Sequence, residues 1–129
     1  MSARVIYLEI PAPDLAVASA FYTGVFGWKV EASDLSEVPY ASFEAGDSLQ
    51  GGLRTDLSVA AVGGVLLYLA VASIPATLKQ IEAAGGFVVT PEEPVGGDNG
   101  FSAEFRDPAG NLVGLWSASY LERQTRERA

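Results

Sequence analysis

The stretch Asp14–Val30, DLAVASAFYTGVFGWKV, decides the fold. Asp14 suits a helix N-cap, because its carboxylate can accept the unpaired N–H groups of the first turn. Leu15, Ala18, Phe21, Tyr22 and Val25 follow at helical spacing and make one apolar stripe. Gly27 can take the left-handed conformation that ends helices, and Trp28-Lys29-Val30 begins a strand. Upstream, Val5 to Ile10 reads as another strand, closed by Pro11 and Pro13. The unit is strand, capped helix, strand.

The same order returns 59 residues later. Leu66 to Val71 reads as a strand, Ser73 as an N-cap, Pro75 as a first-turn proline, and Ile74, Leu78 and Ile81 as the apolar stripe. Gly85 and Gly86 end that helix, and Phe87-Val88-Val89 opens the next strand. Asp14 to Gly27 and Ser73 to Gly86 are each 13 positions apart. Internal duplication predicts such a match; two unrelated units of similar length would also give it.

Working outward, Trp28 to Ala32 is a second strand, Ser33 to Val38 a polar loop, and Tyr40 to Glu44 a third strand. Gly46-Asp47 is a turn, and Leu49 to Arg54 a fourth strand in which Gly51-Gly52 marks a bulge or a close approach by another group. Leu57 to Gly64 links the halves and is apolar enough to pack on something. In the second half, Phe87 to Thr90 is strand six, and Pro91 to Gly100, PEEPVGGDNG, reads as a mobile loop and candidate lid. Gly100 to Arg106 alternates as strand seven, Asp107-Pro108-Ala109-Gly110 fits a type I turn, and Leu112 to Trp116 is strand eight. The expected fold class is α+β: two βαβββ modules, about 4–56 and 63–118, in one domain over 1–120, with 121–129 a charged tail.

A chain of 129 residues with 49% apolar composition can bury a real core. It has no cysteine and no histidine, which excludes disulfides, thiolate nucleophiles, and imidazole ligands or bases. The net charge is −8, and residues 1–118 carry 5 basic against 14 acidic side chains. Nucleic acid is not an expected partner, since phosphates need a basic face. The acidic balance suits a cationic or neutral ligand, or simply a solvated surface. No secretory leader is read at the N-terminus, and the apolar run Val59 to Ala72 is too short to span a bilayer. A soluble, cytoplasmic protein without membrane contact is expected.

Alternation in the first strand sets Tyr7 and Glu9 on one face and Ile6, Leu8 and Ile10 on the other. The helix must cover the apolar face, which leaves Glu9 on the open side of the sheet. By the 59-residue offset Glu9 corresponds to Tyr68. Tyr7, Glu9, Arg54, Tyr68 and Trp116 are the candidate ligand-binding residues: a carboxylate among aromatic faces that can stack a planar ligand or attract a cation. Glu9 is also the candidate catalytic base, or it hydrogen-bonds Tyr68 or Arg54 and only ties the sheets together. Phe21, Tyr22, Phe26 and Trp28 belong to the core.

With FYTGVFGW in the first module and DPAGNLV in the last hairpin, the chain resembles the vicinal oxygen chelate superfamily of glyoxalases, extradiol dioxygenases, and fosfomycin- and bleomycin-resistance proteins, over roughly Arg4 to Ser117. The resemblance implies an incomplete barrel with a cleft between curved mixed sheets, a homodimer, and a cleft that borrows residues from the partner. It also implies a metal site whose histidines match Tyr7 and Leu66 and whose glutamate matches Gly114; its remaining ligand falls in strand four, where Gly52 to Thr55 offers no carboxylate. This set cannot hold a divalent cation, so no metal and no other cofactor is expected. Two functions remain open. One is a metal-free binding protein of the bleomycin-resistance type, holding an amphipathic small molecule, cationic or neutral. The other is a metal-independent lyase or isomerase with Glu9 as base and Tyr7 or Tyr68 as acid.

Overall fold

The computed structural model describes residues 3–33, 38–46, 49–59 and 64–118. The elements run β1 (Tyr7–Pro11), α1 (Leu15–Phe26), β2 (Lys29–Ser33), β3 (Tyr40–Ala45), β4 (Leu49–Arg54), β5 (Tyr68–Ala70), α2 (Ile74–Ala83), β6 (Phe87–Pro94), β7 (Phe101–Arg106) and β8 (Leu112–Ser117). They form two mixed four-stranded sheets of identical topology, β1-β4-β3-β2 and β5-β8-β7-β6. In each, the first strand pairs in parallel with the fourth, and the other pairs are antiparallel. Neither sheet closes on itself. This is the expected α+β arrangement of two βαβββ modules.

Both helices start and stop as their sequences dictate. Asp14 sits in extended backbone and its Oδ1 accepts the Val17 N–H at 3.1 Å. At the other end Gly27 takes φ 70°, its N–H reaches the Thr23 carbonyl (3.0 Å), and the Trp28 N–H reaches the Tyr22 carbonyl (3.3 Å). Ser73 Oγ accepts from the Ala76 N–H at 3.3 Å, Pro75 occupies the first turn, and the Gly86 N–H closes the helix on the Ile81 carbonyl (2.8 Å).

The chain divides into two compact units. The first holds β1 to β4, α1 and the turn Pro108–Asn111; the second holds α2 and β5 to β8. In the first, α1 lays Ala18, Phe21 and Tyr22 over the inner sheet face of Ile10, Ala41, Phe43 and Leu53. Tyr22, Trp28 and Phe43 stack in a column, with centroids 4.6 and 4.5 Å apart. Burying such side chains is worth about 1.5–3 kcal/mol each, and the expected core role of Phe21, Tyr22 and Trp28 holds. In the second unit, Ile74, Leu78 and Ile81 of α2 are buried, as are Ala103, Phe105, Val113 and Leu115 on the strands.

Several boundaries differ from the sequence expectation. Strand one starts at Tyr7, not Val5, because its partner β4 first pairs at Gln50 opposite Tyr7. Ile6 is therefore 68% exposed rather than inward, and Ile10 carries the buried face. Strand five contracts to Tyr68–Ala70, although ladder bonds continue on both sides through Leu67 O and Val71 N. The expected loop from Pro91 is instead strand as far as Pro94. Among the described residues β6 is an edge strand paired with β7 alone, so it tolerates two prolines, and two register shifts absorb the misfit. What remains of the candidate lid is the turn Val95 to Gly100, closed by the Val95 N–H on the Gly100 carbonyl (2.9 Å). Gly51-Gly52 marks a close approach and not a bulge, since the β4 register is continuous on both sides. Asp47, the middle of the linker (60–63) and the 121–129 tail lie outside the described residues.

Candidate functional site

Pairing decides which side chains meet. Glu9 lies opposite Gly52, Tyr40 opposite Arg54, and Ser42 opposite Gly52. With a side-chain period of two, Tyr7, Glu9, Tyr40, Ser42, Gln50 and Arg54 all emerge on the sheet face that α1 does not cover. Their neighbours in sequence, Ile10, Ala41, Phe43 and Leu53, are buried on the inner face. This outer face borders a cavity of about 540 Å³ lined by Tyr7, Glu9, Ser33, Val38, Tyr40, Ser42, Arg54 and Asp56.

Arg54 is the hub. Its Nη1 donates to Glu9 Oε1 at 2.8 Å, while Nε and Nη2 donate to Asp56 Oδ1 and Oδ2 at 2.9 and 2.8 Å. The bidentate pair with Asp56 is the geometry a guanidinium fits best. About a third of the Arg54 and Glu9 side chains stays exposed, at 33% and 31%. Asp56 sits in the turn after β4, and Thr55 Oγ1 pins that turn to the Pro39 carbonyl at 3.1 Å. Asp56 first, then Glu9, holds the Arg54 guanidinium charged beyond its already high range, and Arg54 in turn holds the Asp56 carboxyl below its ordinary value.

Tyr40 roofs the centre of the face. Gly52 has no side chain there, and a Cβ on it would fall 2.8 Å from Tyr40 Cε1 and closer still to Cζ and Oη. The Tyr40 hydroxyl is hydrogen-bonded to the Tyr7 hydroxyl. Burial, followed by hydrogen bonding to Tyr7 and Glu9, raises the Tyr40 phenol well above its usual range, so it stays protonated at any physiological pH. The wall thus offers two carboxylates, one guanidinium and several hydroxyls, with a net charge of −1 from Glu9, Asp56 and Arg54.

Of the candidates named from sequence, Tyr7, Glu9 and Arg54 come together here. Glu9 meets Arg54 on the neighbouring strand of the same sheet. Tyr68 and Trp116 lie on the second sheet. Tyr68, 55% exposed, covers Gly114, where a Cβ would fall 2.6 Å from its Cε1. Trp116 is 37% exposed and its Nε1 donates to the Asn99 carbonyl at 2.9 Å. Glu104, opposite Gly114, accepts from Thr90 Oγ1 at 3.2 Å.

Sequence reasoning missed Tyr40 and Asp56. Alternation of Ala41 and Phe43 against Tyr40 and Ser42 was signal enough for the face of Tyr40, but not for its ring lying over Gly52. Nothing in the sequence marked Asp56, which reaches Arg54 only through a turn.

The residues at the metal positions implied by the resemblance do not fit a cation. Leu66 and Gly114 have no side-chain donor atoms, and the space above Gly114 is filled by the Tyr68 ring. Among the described residues no group of three or more Asp, Glu, His or Cys could hold a metal ion. Among them, too, no helix is long and apolar enough to cross a membrane.

Residues 4–115 match the family model of the Glyoxalase/Bleomycin resistance protein/Dioxygenase superfamily. The chain is similar to the anthracycline biosynthesis protein DnrV of Streptomyces peucetius, 28% identical over 90% of this chain and 47% of that protein. It spans about half the length of the curated relatives it matches. Among solved structures, UcmS2 is 28% identical with a TM-score of 0.70, covering 90% of this chain and 98% of that one. The fosfomycin resistance protein FosX of Listeria monocytogenes shares the fold at a TM-score of 0.74 and 20% identity, over 98% and 99% of the two chains.

Proposed function

Because the chain belongs to the Glyoxalase/Bleomycin resistance protein/Dioxygenase superfamily, we propose that it is a metal-free binding protein for an amphipathic small molecule, cationic or neutral. The carrying observation is the cavity of about 540 Å³ on the first sheet, whose wall combines the Glu9–Arg54–Asp56 ion-pair group with the paired hydroxyls of Tyr7 and Tyr40. Placed polar groups with the ring faces of Tyr7 and Tyr40 among them can orient a small molecule that has both polar and apolar parts. A net negative wall favours a cation or an uncharged polar group over an anion. The relatives named for anthracycline biosynthesis make a planar aromatic body a reasonable class to test. Tyr68 and Trp116 offer further aromatic faces on the second sheet as candidate contacts.

A metal-independent lyase or isomerase is the second reading. It is favoured by one observation: Glu9, the candidate base, lines the same cavity as the hydroxyl of Tyr7, a candidate acid. A ligand-observed NMR screen of small aromatic and cationic compounds tests the first reading, and recovery of each hit decides between the two. Hits recovered unchanged support binding; a hit recovered altered supports catalysis; no hit at millimolar concentration overturns the site. A homodimer is part of the proposal, since Val5, Ile6, Val65 and Phe87 leave apolar surface exposed on the chain. Sedimentation equilibrium at micromolar concentration should report twice the 13.5 kDa chain mass; a clean monomer refutes it.

A further inference from the structure

Arginine in a cavity ordinarily marks an anion site, because its planar fork matches carboxylate and phosphate. Here three guanidinium N–H groups are already spent on the chain's own carboxylates, two on Asp56 and one on Glu9. We propose that Asp56 sets the charge preference of this cavity: by occupying the Arg54 fork it turns a would-be anion site into one that prefers cations. The proposal rests on the reading of the cavity as a small-molecule site, and it names the class of ligand that the site rejects.

Two features make Asp56 the determinant rather than Glu9. Asp56 takes the bidentate edge of the guanidinium, whereas Glu9 takes a single N–H. Asp56 also belongs to a turn anchored through Thr55 to the Pro39 carbonyl, so its carboxylate is held in place. Glu9 is fixed by the β1–β4 ladder and projects from the middle of the same face. Removing the Asp56 charge brings the three-residue group from −1 to 0 and frees one guanidinium edge. Asp56 acts through its hold on Arg54 and is therefore a positioning residue.

The test uses benzamidine and benzoate, planar probes of similar shape and opposite charge, with dissociation constants read by ligand-observed NMR on the full chain at two salt concentrations. Wild type should favour benzamidine. Asp56→Asn, an isosteric change at an exposed turn, should shift the benzamidine-to-benzoate ratio toward benzoate by about tenfold or more, and added salt should shrink that shift. Asp56→Glu, which keeps the charge, should retain the wild-type ratio, and Arg54→Gln in the Asp56→Asn background should cancel the gain for benzoate. If wild type binds benzamidine and Asp56→Asn leaves the ratio unmoved, the role of Asp56 is overturned while the cavity stands. Binding of neither probe by any variant overturns both.

Discussion

Gly51→Ala should cost about 2 kcal/mol of stability, although most strand positions prefer alanine to glycine. A Cβ on Gly51 would run into the Leu8 carbonyl oxygen and Phe43 Cζ, and would lie 2.9 Å from Phe43 Cε2. Phe43 cannot swing aside: it is 2% exposed and stacked on Trp28, which is itself stacked on Tyr22. The Leu8 oxygen belongs to the paired backbone of β1. Relief must therefore come from prying β1 from β4 or from shifting the aromatic column. Overpacking of this kind costs about 1–3 kcal/mol, and backbone involvement points to the upper end. Against this stands the usual gain from replacing glycine, about 0.5–1 kcal/mol. The net is about 2 kcal/mol, or a fall of about 6–10 °C in melting temperature for a chain of this size. Urea unfolding measures it as a lower midpoint at unchanged slope. Gly24→Ala is the control: Gly24 lies inside α1 with nothing within 4 Å of its would-be Cβ, so alanine there should stabilise by about 0.5–1 kcal/mol. In a Phe43→Leu background the cost of Gly51→Ala should shrink, leaving the clash with Leu8. Equal and favourable effects at positions 24 and 51 would refute the packing described for the inner face.

Other outcomes follow from the site. Glu9→Gln should weaken binding of a cationic hit by about tenfold, less than the 2–5 kcal/mol of a fully buried pair because nearly a third of the side chain meets solvent; isothermal titration reads this, and a lower melting temperature with intact affinity would make Glu9 a strand tie only. Asp56 has its folded pKa depressed by Arg54, so its contribution to stability is present above the ordinary value of 3.8 and is lost as pH falls through the lower folded value. Wild type and Asp56→Asn should then differ by a constant melting-temperature gap from pH 8 to 5 that closes in stronger acid; a gap that widens there reverses the sign of the argument. Elemental analysis after expression with zinc, nickel or manganese should find no stoichiometric metal, and one tightly held ion per chain would overturn the donor argument.

The frame was legible because its signals are local. Asp14 and Ser73 are caps whose side chains must bond within three residues, and Gly27 and Gly85 adopt the positive φ their positions require. The alternation that put Glu9 opposite Ile10 follows from strand geometry alone. Long-range pairing was legible only as an alternative: Arg54 or Tyr68 was the expected partner of Glu9 between two sheets, whereas Arg54 stands beside it within one sheet. That Glu9 meets Arg54 depends on a parallel register between segments 45 residues apart, and hydrophobic pattern does not fix register on a polar face. The strand character of Pro91 to Pro94 was hidden for a related reason: proline and glycine content argues for loop, while β7 supplies a partner that an edge strand can use despite two missing N–H groups.

The two sheets agree on one face and diverge on the other, and packing explains the difference. The inner faces, Ile10, Phe43 and Leu53 in one module and Phe105, Val113 and Leu115 in the other, are buried in both, so each must stay apolar. The outer faces carry no such constraint. The first gathers Glu9, Tyr40, Arg54 and Asp56, while the second presents Tyr68, Glu104 and Trp116. Yet both are centred on a glycine of the last strand, Gly52 or Gly114, with a tyrosine ring lying over the bare backbone. The ring comes from β3 in the first case and from β5 in the second, so the pairing is not a copy of one residue pair. A glycine there creates room that an aromatic face fills, and a carboxylate introduced at Gly114 would have to displace Tyr68 before it could reach anything. Cation-binding chemistry at that position is thus opposed twice, by the missing donor and by the ring that occupies its place.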